Sequence, residues 1–348
     1  MTSWPSAGRP DAVQSEDVSS RHLVSLLLAA VLVAGSVLPV AAREAPSTGD
    51  RYTPIDPTTL LSSATVPPDT LFPAGAFRVA NYPIRTLAWE RLPLNGMSLM
   101  RLTPLVNADA EGIAYKVVNG RNYYSPGNIA DEGLRFVDSY VRTGNSNYLD
   151  LALIRANKLH ELGFVRNGAL FIPYEFNWPT ERLVAPWVSA YSQGFALSLF
   201  VRLYRVTGDA EHLASAQAVF RSFRHLGAGS KPWVAYVVNG ELWLELYPGP
   251  RPSHVHNGFM FATFGLYEYE RLTRDPAATQ LLQGALWTLR HNGERYRVPG
   301  EVSLYDLVHR TQHRSYHNTV IWQLRDLGTI CRDPWFAAFA NVLEADGS

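Results

Sequence analysis

Titratable and aromatic side chains crowd into three short stretches of this chain. The first is Trp243-Leu244-Glu245-Leu246-Tyr247-Pro248, which leads into Ser253-His254-Val255-His256-Asn257-Gly258. The second is Ser303-Leu304-Tyr305-Asp306-Leu307 with His309-Arg310, and the third is Arg314-Ser315-Tyr316-His317-Asn318-Thr319. His254 and His256, at i and i+2, have metal-ligand character, but no HExxH accompanies them and no carboxylate stands at ligand spacing. That argues against a metal. Neither Gly-rich phosphate loop nor GxSxG elbow is present, which argues against kinase, dehydrogenase and serine hydrolase chemistry. No cofactor is called for.

The elements that would position these groups repeat. Three turns, Arg142-Thr143-Gly144-Asn145, Val206-Thr207-Gly208-Asp209 and Leu272-Thr273-Arg274-Asp275, recur at spacings of 64 and 66 residues. Each follows one helical pattern and precedes another, as in 190–206 and 210–226, where apolar residues return every three or four positions. Gly ending one helix and Asn or Asp capping the next predicts a helical hairpin. Between these units lie Asn119-Gly120, Asn167-Gly168 and Asn239-Gly240, with Pro299-Gly300 in the equivalent later place. Asn-Gly between β-like runs is a strong hairpin signal. A last helical pair is expected around 317–327 and 335–343. The pattern predicts a mainly α fold, an incomplete (α/α) toroid of helical hairpins with short β-hairpins lining one end.

Aromatic residues follow each β-hairpin: Tyr123 and Tyr124, Tyr174 and Trp178, Trp243 and Tyr247, and Tyr305. Singly, each reads as an ordinary cross-strand aromatic. As a converging set, they read as a cleft that stacks on sugar rings.

The chain has 348 residues, of which 47% are hydrophobic and 12% aromatic, ample for a large core. Lys+Arg and Asp+Glu balance at 31 each, so there is no general basic surface for nucleic acid. Between 290 and 317, however, Arg290, Arg295, Arg297, Arg310 and Arg314 outnumber Glu294, Glu301 and Asp306, and this stretch is expected to form a local cationic rim. The single cysteine, Cys331, excludes a disulfide framework and reads as a packing residue.

The uncharged apolar run 23–40 follows Arg21-His22 and ends in Val40-Ala41-Ala42. This is the pattern of a secretory signal over 1–42, or of a membrane anchor through 23–42 if left uncleaved. Either way the remainder is expected to be exported, as a secreted or cell-surface protein. Residues 43–95 are Pro/Thr-rich and read as a linker and extended arm, and 96–348 as the helical domain.

Several strings carry a family resemblance. They are Pro126-Gly127-Asn128-Ile129-Ala130-Asp131-Glu132-Gly133-Leu134, Pro186-Trp187-Val188-Ser189-Ala190-Tyr191-Ser192-Gln193-Gly194, Glu245-Leu246-Tyr247-Pro248, His256-Asn257-Gly258-Phe259, Leu304-Tyr305-Asp306-Leu307 and Tyr316-His317 with Gln323-Leu324. In this order they resemble the C-terminal catalytic domain of the D-glucuronyl C5-epimerases, in a shorter bacterial-type form. The resemblance implies conversion of D-glucuronate to L-iduronate in an acidic, heparan sulfate-like polysaccharide. It implies no metal, removal of the C5 proton by one group and its return from the opposite face by another. Its catalytic tyrosines fall on Tyr247, Tyr305 and Tyr316. Tyrosine, titrating near 10, is protonated at neutral pH and suits the acid role. Substrate-binding positions fall on Trp187, Ser189 and Asn257, with His317, Arg310, Arg314, Tyr123 and Tyr124 nearby. The animal enzymes of the family are dimers, which implies a homodimer.

Two positions depart from the family pattern. The acid expected beside the first tyrosine is Leu246, leaving Glu245 as the candidate base, although strand alternation turns it to the other face. The arginine expected after Tyr305 is Val308. A uronate lyase, and a non-catalytic glycan-binding protein of the same fold, are the competing expectations.

Overall fold

The computed structural model describes residues 69–96, 98–102, 107–227 and 232–348. The apolar run and linker up to residue 68 lie outside them. Among the described residues, eight α-helices form four hairpins: α1 (Pro126–Thr143) with α2 (Ser146–Leu162), α3 (Ala190–Thr207) with α4 (Ala210–Ser222), α5 (His256–Thr273) with α6 (Pro276–Asn292), and α7 (Arg314–Cys331) with α8 (Pro334–Asp346). The first helix of each hairpin packs on its successor, α1 on α3, α3 on α5 and α5 on α7. These four make an inner row backed by the others, an incomplete (α/α) toroid.

One joint is used four times. The residue after α1, α3, α5 and α7 is left-handed: Gly144, Gly208, Arg274 and Arg332. The next residue, Asn145, Asp209, Asp275 or Asp333, accepts a backbone N–H from the following helix. In the first three, a threonine hydroxyl (Thr143, Thr207, Thr273) also accepts the N–H of the capping residue. The fourth joint has Cys331 in place of the threonine, which hides it from a sequence search. The expected helix over 210–226 stops at Ser222, because Leu226 leaves to bridge Ala235.

Three two-residue hairpins form as predicted: β1 (Lys116–Val118) with β2 (Arg121–Tyr123), β3 (Phe164–Arg166) with β4 (Ala169–Phe171), and β5 (Ala235–Val238) with β6 (Glu241–Leu244). Both turn residues have positive φ in each, for example Asn239 at 53° and Gly240 at 74°, which twists the turn to suit the strands. The fourth expected hairpin, at Pro299-Gly300, is a loop. A 3-10 turn over Gly293–Tyr296 occupies the upstream arm, and the Leu304 N–H donates to the Tyr296 carbonyl across the turn without a ladder forming. The three hairpins lead into the N-termini of α1, α3 and α5, so their connecting segments gather at one end of the row.

The arm from residue 69 joins the domain core, burying Phe77, Leu87, Trp89 and Leu92. Trp89 Nε1 and the Gly96 N–H both donate to Asp138 of α1. That carboxylate also receives Arg202 of α3, which forks onto Glu268 of α5. One fully buried guanidinium thus ties three inner helices together. Inner helices α3 and α5 also approach closely through glycine: a Cβ on Gly194 would stand 2.6 Å from the Ala262 Cα, and one on Gly265 would strike the Gly194 carbonyl oxygen. Backbone cannot yield cheaply, so Gly265→Ala is expected to cost roughly 1–3 kcal/mol. A lowered urea midpoint would register it, and an unchanged midpoint would contradict the close approach.

Candidate active site

Three loops and one helix start build the mouth of the row. Tyr305 is pinned by its backbone, its N–H donating to the Thr311 carbonyl and its C=O accepting from His256. Its hydroxyl lies 3.4 Å from that of Tyr247, and its ring centroid lies 4.7 Å from that of Tyr316 in the first turn of α7. Behind Tyr247 stands an aromatic wall from the segment between β4 and α3. Trp178 stacks on Tyr247 at 6.4 Å, Trp187 lies 6.1 Å from it, and Trp187 stacks on Tyr174 at 4.3 Å. Burial pushes both the Tyr247 and Tyr305 phenols well up from 10, with the Tyr316 and Glu181 charges adding to it. Both therefore stay protonated through the neutral range and can act as proton donors.

Of the expected binding residues, the structure brings Trp187, Asn257 and Tyr123 to this end. Asn257, in the first turn of α5, is 6% exposed, and its side-chain oxygen has no partner among the described residues. Tyr123 packs edge-on against Phe176 at 5.5 Å. Tyr124 does not join them. Neighbouring residues leaving a strand face opposite ways, and its hydroxyl donates to Asp109 at 2.7 Å. Ser189 is fully buried at the start of α3 and does not reach an open cleft. His317 is enclosed, 2% exposed, with Nδ1 accepting the Ser303 N–H and its ring against Gly347. Arg314 donates to the Gly347 carbonyl. Both are held against Gly347 in the turn after α8. Trp243, 2% exposed, belongs to the core.

The expected cationic rim also disperses. Arg290 pairs with Asp333, Arg297 with Asp346, and Arg295 donates to Asn292. Arg310 is exposed on the Tyr305 loop in a left-handed conformation. Lys116, which the β1–β2 register places opposite Tyr123, is a cation that sequence inspection missed. Its ammonium stands 5.5 Å from the Trp178 ring and 5.9 Å from Phe176.

Glu245, the expected base, is held by His254. It is fully buried, with Oε1 2.9 Å from His254 Nδ1 and Oε2 accepting the His254 N–H. The strand ends at Leu244, and Leu246, at the position of the expected acid, packs on Gly258 of α5. Another carboxylate, Glu181, was also missed, because it sits in an irregular stretch without periodicity. It lies at the tip of the β4–α3 segment, where its carbonyl touches Gly249 of the Tyr247 loop. His309 Nδ1 stands 3.6 Å from it and 3.3 Å from Asp306. Burial raises the Glu181 pKa, with Asp306 and Glu245 adding to it against His309. This group joins the three loops that carry Trp178, Tyr247 and Tyr305.

His254 and His256 separate instead of converging on one point. His256 is 1% exposed, stacks on Tyr296 at 4.0 Å and has no hydrogen-bond partner for either ring nitrogen among the described residues. Burial depresses its pKa to about 3 from an ordinary 6.5. The neutral ring is the folded form, so its stabilising share is present above pH 6.5 and is lost as pH falls toward 3. By pH 4.5 the loss should reach about 3 kcal/mol. His256→Phe should flatten the pH dependence of urea unfolding between 7.5 and 4.5, and parallel curves would refute the assignment.

Fold and site together define the chain as an (α/α)-toroid with a phenol-lined, aromatic-walled mouth. The model of the D-glucuronyl C5-epimerase C-terminus matches residues 166–344, just over half of the chain, and the chain belongs to that family. A D-glucuronyl C5-epimerase of Caenorhabditis elegans is 32% identical over 107 residues, covering 30% of this chain and 17% of the nematode protein. Among solved structures, cellobiose 2-epimerase from Bacillus thermoamylovorans aligns with a TM-score of 0.49 at 14% identity, over 64% of this chain and 59% of that one. An unsaturated glucuronyl hydrolase from Streptococcus agalactiae aligns at 0.42 and 16% identity, over 62% and 57%. Both solved chains are therefore matched over less than two thirds of their length.

Proposed function

We propose that this protein is an exported uronate C5-epimerase that converts D-glucuronate to L-iduronate residues in an acidic polysaccharide. The supporting observation is the cluster of Tyr247, Tyr305 and Tyr316, three phenols at the positions the family's motifs carry, beside a wall of Trp178 and Trp187. The C5 hydrogen of a uronate is acidified by the adjacent carboxyl group. Its removal places charge on that carboxyl group as an enolate, and protonated phenols supply both hydrogen bonds to that charge and a proton for C5. Lys116 and Arg310 would temper the substrate's negative charge. Stacking on the indoles would orient the ring.

Incubation with unsulfated glucuronate polymer in heavy water tests this reading. Deuterium at C5 together with iduronate supports it. Ultraviolet absorbance from an unsaturated product would indicate a lyase instead, and binding without exchange would indicate a glycan-binding protein.

A further inference from the structure

The reaction needs two groups on opposite faces of C5, and the phenols provide only one side. Leu246 stands where the family carries its acid, and Glu245 is held by His254. Helix α1 lies at the other end of the inner row from α7, which carries Tyr316. Its first turn faces the mouth: a Cβ on Gly127 would strike the Tyr191 ring and stand 2.9 Å from the Tyr174 hydroxyl. Asp131 follows Gly127 by four residues and so lies on the same helix face, one turn deeper.

We propose that Asp131 is the catalytic carboxylate of this site, taking the C5 proton from the face opposite the tyrosines. This rests on the C5-epimerase reading above.

Three observations single it out. First, α1 carries three carboxylates, and two are neutralised by buried arginines: Glu132 lies 3.3 Å from Arg155, and Asp138 is bound by Arg202. Among the described residues Asp131 pairs only with Arg135, at 3.9 Å, with both side chains more than a third exposed. Second, Asp131 heads the neighbouring charges that raise the Tyr191 phenol beyond the effect of burial, ahead of Tyr174, Tyr316 and Tyr247. One ring therefore senses the carboxylate and the tyrosines together. Third, although part of its side chain reaches solvent, desolvation by the protein packed around it raises the Asp131 pKa to about 6, Arg135 opposing and Asp138 adding, which suits a base working near neutrality. The titratable and charged groups around it are Glu132, Arg135 and Asp138 of its own helix, and Tyr191 of α3.

The balance closes within the site. The C5–H bond breaks, its proton goes to the Asp131 carboxylate, and its electron pair enters the C6 carboxyl group as an enolate. A phenol O–H then gives its proton to C5 from the other face, and both groups return to their starting states through solvent. In the reverse direction the roles exchange.

Asp131→Asn is expected to lower C5 deuterium exchange by roughly 10³-fold or more while polymer affinity and melting temperature hold. In the parent, kcat/KM should fall as pH drops through about 6, because a protonated carboxyl group cannot accept the proton, and the variant's residual rate should lack that limb. Asp131→Glu keeps the charge and supplies a folded comparison if the amide variant is unstable; it should restore measurable exchange. Exchange in Asp131→Asn within tenfold of the parent, or an unchanged acid limb, overturns the assignment and leaves the epimerase reading standing. No exchange in the parent overturns the epimerase reading, and this assignment with it.

Discussion

Tyr305→Phe is expected to slow C5 exchange by roughly 10²–10⁴-fold, the usual contribution of a positioned acid, or about 3–5 kcal/mol of barrier. Tyr305 stands between the other two phenols, sharing a 3.4 Å hydroxyl contact with Tyr247 and a 4.7 Å ring contact with Tyr316. Phenylalanine preserves the ring packing, and the backbone bonds to His256 and Thr311 do not involve the side chain. Loss should therefore appear in kcat with KM little changed, the mark of an interaction made in the transition state. Because burial raises the Tyr305 pKa, the phenol remains a donor to alkaline pH, and no loss of activity from its ionisation is expected at pH 8–9. Exchange in the variant within a few-fold of the parent would remove Tyr305 from the proton path.

The second large effect lies far from the mouth. Arg202→Met is expected to destabilise the domain by roughly 3–5 kcal/mol, because it leaves the Asp138 and Glu268 carboxylates buried together without their shared cation. The guanidinium is 0% exposed and its bonds to the two acids measure 2.7–3.1 Å. The same knot anchors Trp89 and Gly96 of the arm through Asp138, so limited proteolysis near residues 89–96 should accelerate along with unfolding. Adding Glu268→Gln and Asp138→Asn to Arg202→Met should recover much of the loss, since amides carry no unpaired charge. A urea midpoint within experimental error of the parent would show the network to be energetically idle.

The hairpin repeat was legible because its signals are local. Gly-Asn and Gly-Asp joints require a left-handed residue and then a cap, and Asn-Gly turns require two positive φ values, whatever the rest of the chain does. The same logic fails at Pro299-Gly300, where the turn forms but the segment before it, Gly293–Tyr296, runs on from α6 as a 3-10 turn instead of a strand. Around the site, the identities of Tyr247, Tyr305, Tyr316, Trp187 and Asn257 were visible in the chain. Arg314 and His317 looked equally suitable, yet the C-terminal turn after α8 claims both. Glu181 and Lys116 carried no signal of their own, and Asp131 stood out only as one member of a string resembling the family.

The sequence by itself determined the helical hairpins, the β-turns between them and the aromatic residues that follow each turn, because backbone conformation and alternation are set within a few residues. Only the tertiary structure decided which charges are occupied. Pairing depends on segments far apart in the chain, as when Arg202 joins Asp138 across 64 residues or Arg314 reaches Gly347 across 33. Charge composition between 290 and 317 suggested a basic rim, and distance-dependent pairing dissolved it. The same pairing singled out Asp131, whose two helix companions are already neutralised by arginine.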